Sequence, residues 1–206
     1  MTYRTWRRAL SPVLVPLTRI CLGLDPNRIT LVALGLAVAA GIMFASSLAI
    51  PGLVLLGLHV LADYLDGSVA RASGRTSKLG DFLDHTADRV ADLACLGGLA
   101  LSGWARPALA LAVLAGTQFV AVVNTQVELS TGVRRDPRVS RTDGHVALMV
   151  TLAAQQLLPE PLAGHPLLDW GLLAVVPLTL LAGIARLVQA ARILARQPID
   201  QRTKLN

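Results

Sequence analysis

The fold of this chain is decided by residues 61–90, LADYLDGSVARASGRTSKLGDFLDHTADRV, which join two apolar segments and place acidic residues at their junction. On an α-helix, residues three or four apart share a face, so Asp63 and Asp66 lie on one side of the first helix. Asp84 and Asp88 lie in the same way on one side of the second. The short loop between the helices makes them antiparallel neighbours, so the two acidic pairs are predicted to converge near the membrane surface.

The composition is typical of a membrane protein. Hydrophobic residues make up 53% of the 206 residues, charged residues 16%, and the mean hydropathy is +0.57. A segment of about 20 apolar residues crosses a bilayer. Six candidate spans lie at about residues 30–50, 52–71, 81–103, 107–129, 144–158 and 167–190. The sequence therefore predicts an all-α integral membrane bundle of six transmembrane helices with an N-terminal amphipathic juxtamembrane helix.

Three parts are predicted along the chain: a cytoplasmic amphipathic N-terminal segment 1–29, a six-helix transmembrane domain 30–192 that holds the acidic residues, and a cytoplasmic C-terminal tail 193–206. Residues 2–24 mix leucines with arginines, which is typical of a helix lying on the inner leaflet. With the N-terminus in the cytoplasm, sixteen of the 19 basic residues fall on the cytoplasmic side. The prediction is a multi-pass protein of the cell's inner or plasma membrane, with its active site facing the cytoplasm.

Several other classes of function are excluded by composition and spacing. The net charge of +6 comes with only 4% aromatic residues and no helix-turn-helix pattern, so no nucleic acid partner is expected. Cys21 and Cys95 lack metal-ligand or CxxC spacing and are predicted to be small apolar side chains.

Charge arithmetic indicates what the acidic residues bind. One carboxylate at the centre of a membrane helix costs about 3 kcal/mol, and four adjoining carboxylates also repel one another. Two divalent cations would balance the four charges, and oxygen ligands are those that Mg²⁺, Mn²⁺ and Ca²⁺ prefer. The sequence therefore predicts a two-metal site. The alternative is that each acid is an ordinary helix-end residue paired with Arg71, Arg75, Lys78 or Arg89.

The same residues resemble the signature of a known enzyme family, the CDP-alcohol phosphotransferases, also called CDP-alcohol phosphatidyltransferases. The matching positions are Asp63-x2-Asp66-Gly67-x2-Ala70-Arg71-x8-Gly80-x3-Asp84-x3-Asp88. Residues 25–30, DPNRIT, also look like the family's opening motif, and the six-span layout is similar along nearly the whole chain. The resemblance implies a transferase of phospholipid biosynthesis that moves a phosphatidyl-type group from a CDP-linked lipid donor to a small polar alcohol and releases CMP.

The resemblance also implies roles for individual residues. Asp63, Asp66, Asp84 and Asp88 would be the metal ligands for two Mg²⁺ or Mn²⁺ ions, with Asp88 also the catalytic general base. The CDP donor would be bound by Asp63, Gly67, Ala70, Arg71 and Gly80. Small residues would let the cytidine diphosphate approach the helix backbone, although helix packing alone also explains both glycines. The lipid bilayer and a homodimer partner complete the expected associations.

Acidic and imidazole groups outside the signature receive lesser roles. Asp81 is predicted to cap the third span, since a carboxylate satisfies the free N–H groups at a helix start. Asp92 lies one turn beyond Asp88 and is expected to extend the polar pocket. His59 and His85 are expected to be satisfied polar residues or neighbours of the metal ligands.

The acceptor site is predicted from polar residues on later spans: Asn124, Gln126, Arg141 and Arg186. Arg186 is a charge inside an apolar helix, which marks a functional candidate. In family members that use inositol phosphate, arginines near Arg141 and Arg186 bind the acceptor's phosphate. Those members carry basic residues where this chain has Asn124 and Gln126, which counts against inositol phosphate. The predicted acceptor is a polyol phosphate, glycerol phosphate or inositol phosphate, with an uncharged alcohol such as serine as the alternative.

Two other classes share some of these features. Membrane prenyltransferases also use aspartate and Mg²⁺ on diphosphates, but their two acidic motifs usually lie far apart in a longer chain. A membrane cation transporter would also hold acidic residues among its spans. The absence of a repeat and the Gly67, Ala70 and Arg71 pattern count against that transporter.

Overall fold

The computed structural model describes residues 12, 14–132, 141–158 and 162–195, without the side chains of 141–143. Within these ranges the chain forms seven helices and no β-strand, which confirms the predicted all-α class. They are α1 (Leu14–Gly23, ending in the 3-10 turn Cys21–Gly23), α2 (Pro26–Ala45), α3 (Ala49–Ala72), α4 (Lys78–Leu101), α5 (Pro107–Thr131), α6 (Arg141–Leu157) and α7 (Leu167–Ala195).

Helix ends follow the capping residues of the sequence. Asp25 begins α2 by accepting a hydrogen bond from the Asn27 amide at 3.0 Å. Ser77 begins α4 in the same way, accepting from the Gly80 amide at 3.0 Å. The predicted cap Asp81 lies instead in the first turn of α4, where its charge favours the positive end of the helix dipole. Ser77, four residues before Asp81, has the extended backbone that an N-cap requires, and its hydroxyl takes this place.

Length and apolar composition qualify four of the described helices to cross a membrane: α2, α3, α5 and α7. The predicted count of six therefore exceeds the count that these criteria support. The acidic first half of α4 lowers its mean hydropathy, and α6 has only 17 residues in its described length. The predicted amphipathic segment is represented by α1, while residues 1–11 and 13 lie outside the described residues.

Backbone contact joins α2 to α4. A Cβ on Gly41 would overlap the Ala94 carbonyl, and a Cβ on Gly98 would overlap the Gly41 carbonyl. The two helices therefore approach more closely than any pair of larger residues allows. The main apolar core lies alongside this contact, and its largest fully buried members are Phe44, Leu56, Leu99, Leu152 and Leu168.

Helices that alternate in direction give the bundle two ends. At the acidic end α3 finishes and α4 starts, so this end carries Asp63, Asp66, Asp84 and Asp88. α1 is attached at the same end, because the Arg75 guanidinium donates to the Leu22 carbonyl. At the opposite end, here called the distal end, α4 finishes while α5 and α7 start.

A polar cluster of Arg106, His165 and Asp169 closes the distal end, and we call it the distal latch. The Arg106 amide donates to Asp169 Oδ1 at 2.8 Å, and its guanidinium Nε lies 3.1 Å from Oδ2. His165 also contacts the Arg106 guanidinium. Asp169 is only 3% exposed, and its contacts with Arg106 join the start of α5 to the start of α7.

Candidate metal centre

Three helices meet at Asp66, the most buried of the predicted metal ligands. The side chain lies on α3 and is 5% exposed, and the Thr30 hydroxyl of α2 donates to its Oδ2 at 2.7 Å. The carboxylates of Asp63 and Asp84 lie near enough to repel its charge. Asp84 comes from α4, so the structure brings together acids from both halves of the predicted site.

Asp84 and Asp88 form a second group with His85 between them. One ligand atom from each of the three residues lies within 4.8 Å of the others. Both carboxylates are half-buried, whereas His85 is exposed and its Nε2 also lies 3.9 Å from Asp81. The two carboxylates fit Mg²⁺ or Mn²⁺, because these ions prefer oxygen ligands. The sequence had given His85 only a minor role.

Small residues shape the surface beside these carboxylates. A Cβ on Gly67 would lie 3.0 Å from Nη1 of Arg71, so the guanidinium of Arg71 covers the open face of Gly67. Ala70, half-buried, is on the same turn. A Cβ on Gly80 would lie 3.1 Å from Asn27 Oδ1, so glycine there admits the start of α2. The structure thus brings Asn27 of the 25–30 segment against the first turn of α4.

A row of charged and imidazole groups continues from the half-buried Asp88 and Arg89 to the buried Asp92 and His145. Arg89 lies between Asp88 and Asp92, and His145 of α6 lies against Asp92. Sequence reasoning did not single out His145. The only signal in the sequence was a histidine near the start of an apolar segment, and its contact with α4 is visible only in the folded chain.

Among the predicted acceptor residues, Arg186 and Asn124 are in contact. Arg186 Nε donates to Asn124 Oδ1 at 2.9 Å, and Nη1 donates to Gln189 Oε1 at 3.3 Å. Within the described part of the chain both partners are neutral amides, so the positive charge of Arg186 is not balanced there. Gln126 is exposed and joins no contact with Arg186, and the side chain of Arg141 lies outside the described residues.

The position of the Arg186–Asn124 pair along the bundle axis can be compared with that of Asp84 and Asp88. Gln118 of α5 donates to the Arg89 carbonyl of α4 at 3.4 Å, so these two residues are level. At about 1.5 Å per residue, Asn124 lies about 9 Å from Gln118 toward the acidic end, and Asp84 lies about 7.5 Å from Arg89 in the same direction. The pair and the acids are therefore at similar depth in one end of the bundle.

Known proteins match this chain in both sequence and structure. Residues 24–181 match the family model described as CDP-alcohol phosphatidyltransferase. An archaetidylinositol phosphate synthase of Pyrococcus horikoshii is 35% identical over 120 residues, covering 56% of this chain and 64% of that protein. A phosphatidylinositol phosphate synthase of Streptomyces avermitilis is 40% identical over 95 residues, covering 46% and 38%. The chain thus spans less than two thirds of the length of these two relatives.

Solved structures match over a larger part of their length. The phosphatidylinositol phosphate synthase of Mycobacterium tuberculosis with CDP-DAG bound superposes with a TM-score of 0.73 at 25% identity, covering 87% of this chain and 94% of that one. The same protein in complex with manganese and citrate gives a TM-score of 0.66 at 25% identity, covering 91% of each chain.

Proposed function

The chain belongs to the CDP-alcohol phosphatidyltransferase family, as its signature predicts, and on that premise we propose a reaction at the acidic end. The chain transfers a phosphatidyl-type group from a CDP-linked lipid to a small polar alcohol and releases CMP. One observation carries this proposal: Asp66 of α3 is buried between a Thr30 hydroxyl and the like-charged Asp63 and Asp84. Clustered carboxylates favour a bound cation, and a diphosphate substrate also needs a cation to balance its charge.

Asp63, Asp66, Asp84 and Asp88 would hold the metal. Two Mg²⁺ or Mn²⁺ ions supply charge neutralisation for the diphosphate and for the departing CMP. The manganese-bound M. tuberculosis relative supports this choice of ion. Thr30 holds the Asp66 carboxylate in one orientation, and burial keeps bulk water from competing for it.

The CDP part of the donor is proposed to lie along Asp63, Gly67, Ala70, Arg71 and Gly80. The CDP-DAG-bound relative supports a donor of this chemistry. Arg71 provides a guanidinium next to Gly67, and guanidinium groups match phosphate oxygens in charge and geometry. The exposure of Arg71 leaves it free to turn from Gly67 toward a phosphate.

Asp88 is proposed as the general base. The acceptor hydroxyl gives its proton to the Asp88 carboxylate while its oxygen attacks the phosphorus that carries the lipid. The bond between that phosphorus and the CMP oxygen breaks, and CMP leaves with the electron pair. A half-buried carboxylate one turn from Asp84 has the position that this step requires.

A polyol phosphate is the proposed acceptor, with Arg186 as the group that binds its phosphate. Arg186 carries a charge held only by two amides within the described part of the chain, which suits an anionic ligand more than serine. Asn124 holds the guanidinium, and Gln126 and Arg141 are the further candidates. Both named relatives act with inositol phosphate, so we place inositol phosphate before glycerol phosphate.

The remaining predictions concern the membrane. We propose that α4 and α6 also lie within the bilayer, as the third and fifth of six spans, because the carboxylates of Asp84 and Asp88 on α4 are half-buried and that of Asp92 is buried within the bundle. The acidic end then faces the cytoplasm, and the chain acts as a homodimer in the cell's inner or plasma membrane. Four apolar helices support the membrane location itself.

CMP release tests this function directly. Purified protein in lipid nanodiscs is given CDP-diacylglycerol and Mn²⁺ with inositol phosphate, glycerol phosphate or serine, and CMP is measured with and without EDTA. We expect metal-dependent release that is fastest with a polyol phosphate. Release with serine alone would replace the proposed acceptor, and no release with any acceptor would remove the reaction and favour a cation-binding membrane protein.

A further inference from the structure

Asp92 is a buried carboxylate that the family signature does not include. It lies on α4, one turn beyond Asp88, and is 2% exposed. Its Oδ1 lies 3.1 Å from Nε2 of His145, and its Oδ2 lies 3.8 Å from Nη1 of Arg89. Both oxygens therefore face groups that carry or can carry positive charge, which is how a carboxylate remains stable inside a protein.

Arg89 is shared between two carboxylates. Its Nη2 lies 3.9 Å from Oδ2 of Asp88, while Nη1 faces Asp92. Opposite charges within about 4–6 Å stabilise one another. Each of the two carboxylates therefore attracts the same guanidinium, and its position depends on both. If the Asp92 charge were removed, Asp88 would attract the Arg89 guanidinium without competition from Asp92. A positive charge held close to Asp88 would then compete with any divalent cation at the metal centre.

His145 fixes the position of Asp92 from the other side. The ring of His145 packs edge-to-face on His59 with centroids 5.5 Å apart, and His59 Nδ1 lies 2.9 Å from the Ala33 carbonyl. The chain of contacts crosses from α4 through α6 and α3 to α2. Asp92 is therefore anchored to the body of the bundle, not to a mobile surface.

Among the described side chains, the ligand atoms of Asp84, His85 and Asp88 come within 4.8 Å of one another, and this group does not include Asp92 or the buried histidines. Asp92 is 2% exposed, and Arg89 lies between it and Asp88.

We propose that Asp92 is a positioning residue of the metal centre: anchored by His145, its carboxylate draws the Arg89 guanidinium away from Asp88. This proposal rests on the proposed function, in which Asp88 binds metal. The consequence is that metal affinity depends on a charge that does not touch the metal.

Mn²⁺ titration followed by electron paramagnetic resonance tests the proposal on the purified full-length protein. We expect Asp92→Asn, which keeps shape but removes charge, to weaken Mn²⁺ binding about tenfold. Adding Arg89→Gln to that variant removes the competing cation and should restore affinity to within about threefold of wild type. The matched control is Asp169→Asn in the distal latch, an equally buried aspartate with an arginine partner, which should leave Mn²⁺ affinity unchanged.

Several results would overturn the positioning role. Wild-type Mn²⁺ affinity in Asp92→Asn would do so, as would an equal loss in Asp169→Asn or failure of Arg89→Gln to restore affinity. If Asp92→Asn does not fold, Arg89→Gln alone decides: we expect Mn²⁺ binding at least as tight as wild type, and weaker binding contradicts the proposal. Thermal unfolding of each variant separates lost affinity from lost structure.

CMP release by the wild-type protein, measured in parallel, separates this proposal from the reaction. The expected Mn²⁺ pattern without CMP release would retain the positioning role and remove the proposed reaction. CMP release together with an unchanged Mn²⁺ affinity in Asp92→Asn would retain the reaction and remove the positioning role. A wild-type protein that binds no Mn²⁺ would overturn both.

Discussion

The two ends of the bundle use the same residue types for different purposes. In the distal latch, the buried Asp169 meets one backbone amide and one guanidinium, so its charge is balanced within the protein. At the acidic end, the buried Asp66 instead adjoins two further carboxylates, Asp63 and Asp84. Like charges brought together are unfavourable unless a cation joins them or one carboxylate takes up a proton. The difference teaches that burial alone does not make an aspartate a candidate ligand, whereas like-charged neighbours do.

Asp88→Asn should give the largest difference between the two ends. Because the amide cannot take the acceptor's proton, we expect CMP release to fall about 10²- to 10⁴-fold. Steady-state CMP release measures the loss, and gel filtration with a thermal melt verifies folding. Asp169→Asn at the distal end is the control and should retain wild-type turnover. Full activity in Asp88→Asn would end the assignment of this residue.

Arg186→Gln tests a charged side chain at the acidic end that, within the described residues, has amide partners and no carboxylate partner. Loss of a charged hydrogen bond to a phosphate costs about 1.5–3 kcal/mol, so the KM for the polyol phosphate should rise about ten- to hundredfold. The KM for the CDP-lipid should stay constant. Arg192→Gln, an exposed arginine in the last turn of the same helix, is the matched control. Equal effects in both variants would contradict an acceptor role for Arg186.

Thr30→Val removes the hydroxyl that orients Asp66 while keeping a side chain of similar shape. Because the lost hydrogen bond orients the carboxylate and does not contact the metal, only part of its energy bears on metal binding, and Mn²⁺ affinity should fall about three- to tenfold. Thr30→Ser keeps the hydroxyl and should bind Mn²⁺ nearly as wild type does. Unchanged Mn²⁺ affinity in the valine variant would mean that Asp66 is held by its other neighbours.

The smallest effect on function should come from the distal latch itself. Asp169→Asn leaves the Arg106 guanidinium without its carboxylate, so the free energy of unfolding should fall by about 1–3 kcal/mol. Thermal unfolding in detergent measures this loss. The KM values and kcat should not change, because the latch is at the far end from the reacting groups. A changed KM for either substrate would break the division of the molecule into a structural end and a reactive end.

Local spacing was enough to predict much of the metal centre. Helical periodicity placed Asp63 with Asp66 and Asp84 with Asp88, and the short loop made their helices neighbours. The partner of Asp92 was beyond this kind of reasoning, because His145 is 53 positions away along the chain and meets it only through the packing of α6. The six-span prediction included residues 81–103, whereas the acidic first half of α4 lowers the mean hydropathy of this helix below that of the four candidate spans.

The glycine contact between α2 and α4 bears on how the chain is made. α4 carries several charges in its first half and would partition poorly into lipid by itself, whereas α2 is apolar from residue 31 to its end. Gly41 offers α4 a groove in which Gly98 fits backbone to backbone. On the proposal that α4 also lies within the bilayer, we expect its charged first half to enter after α2 and packed against it. The contact between Gly41 and Gly98 would then link the order of insertion to the packing of the bundle.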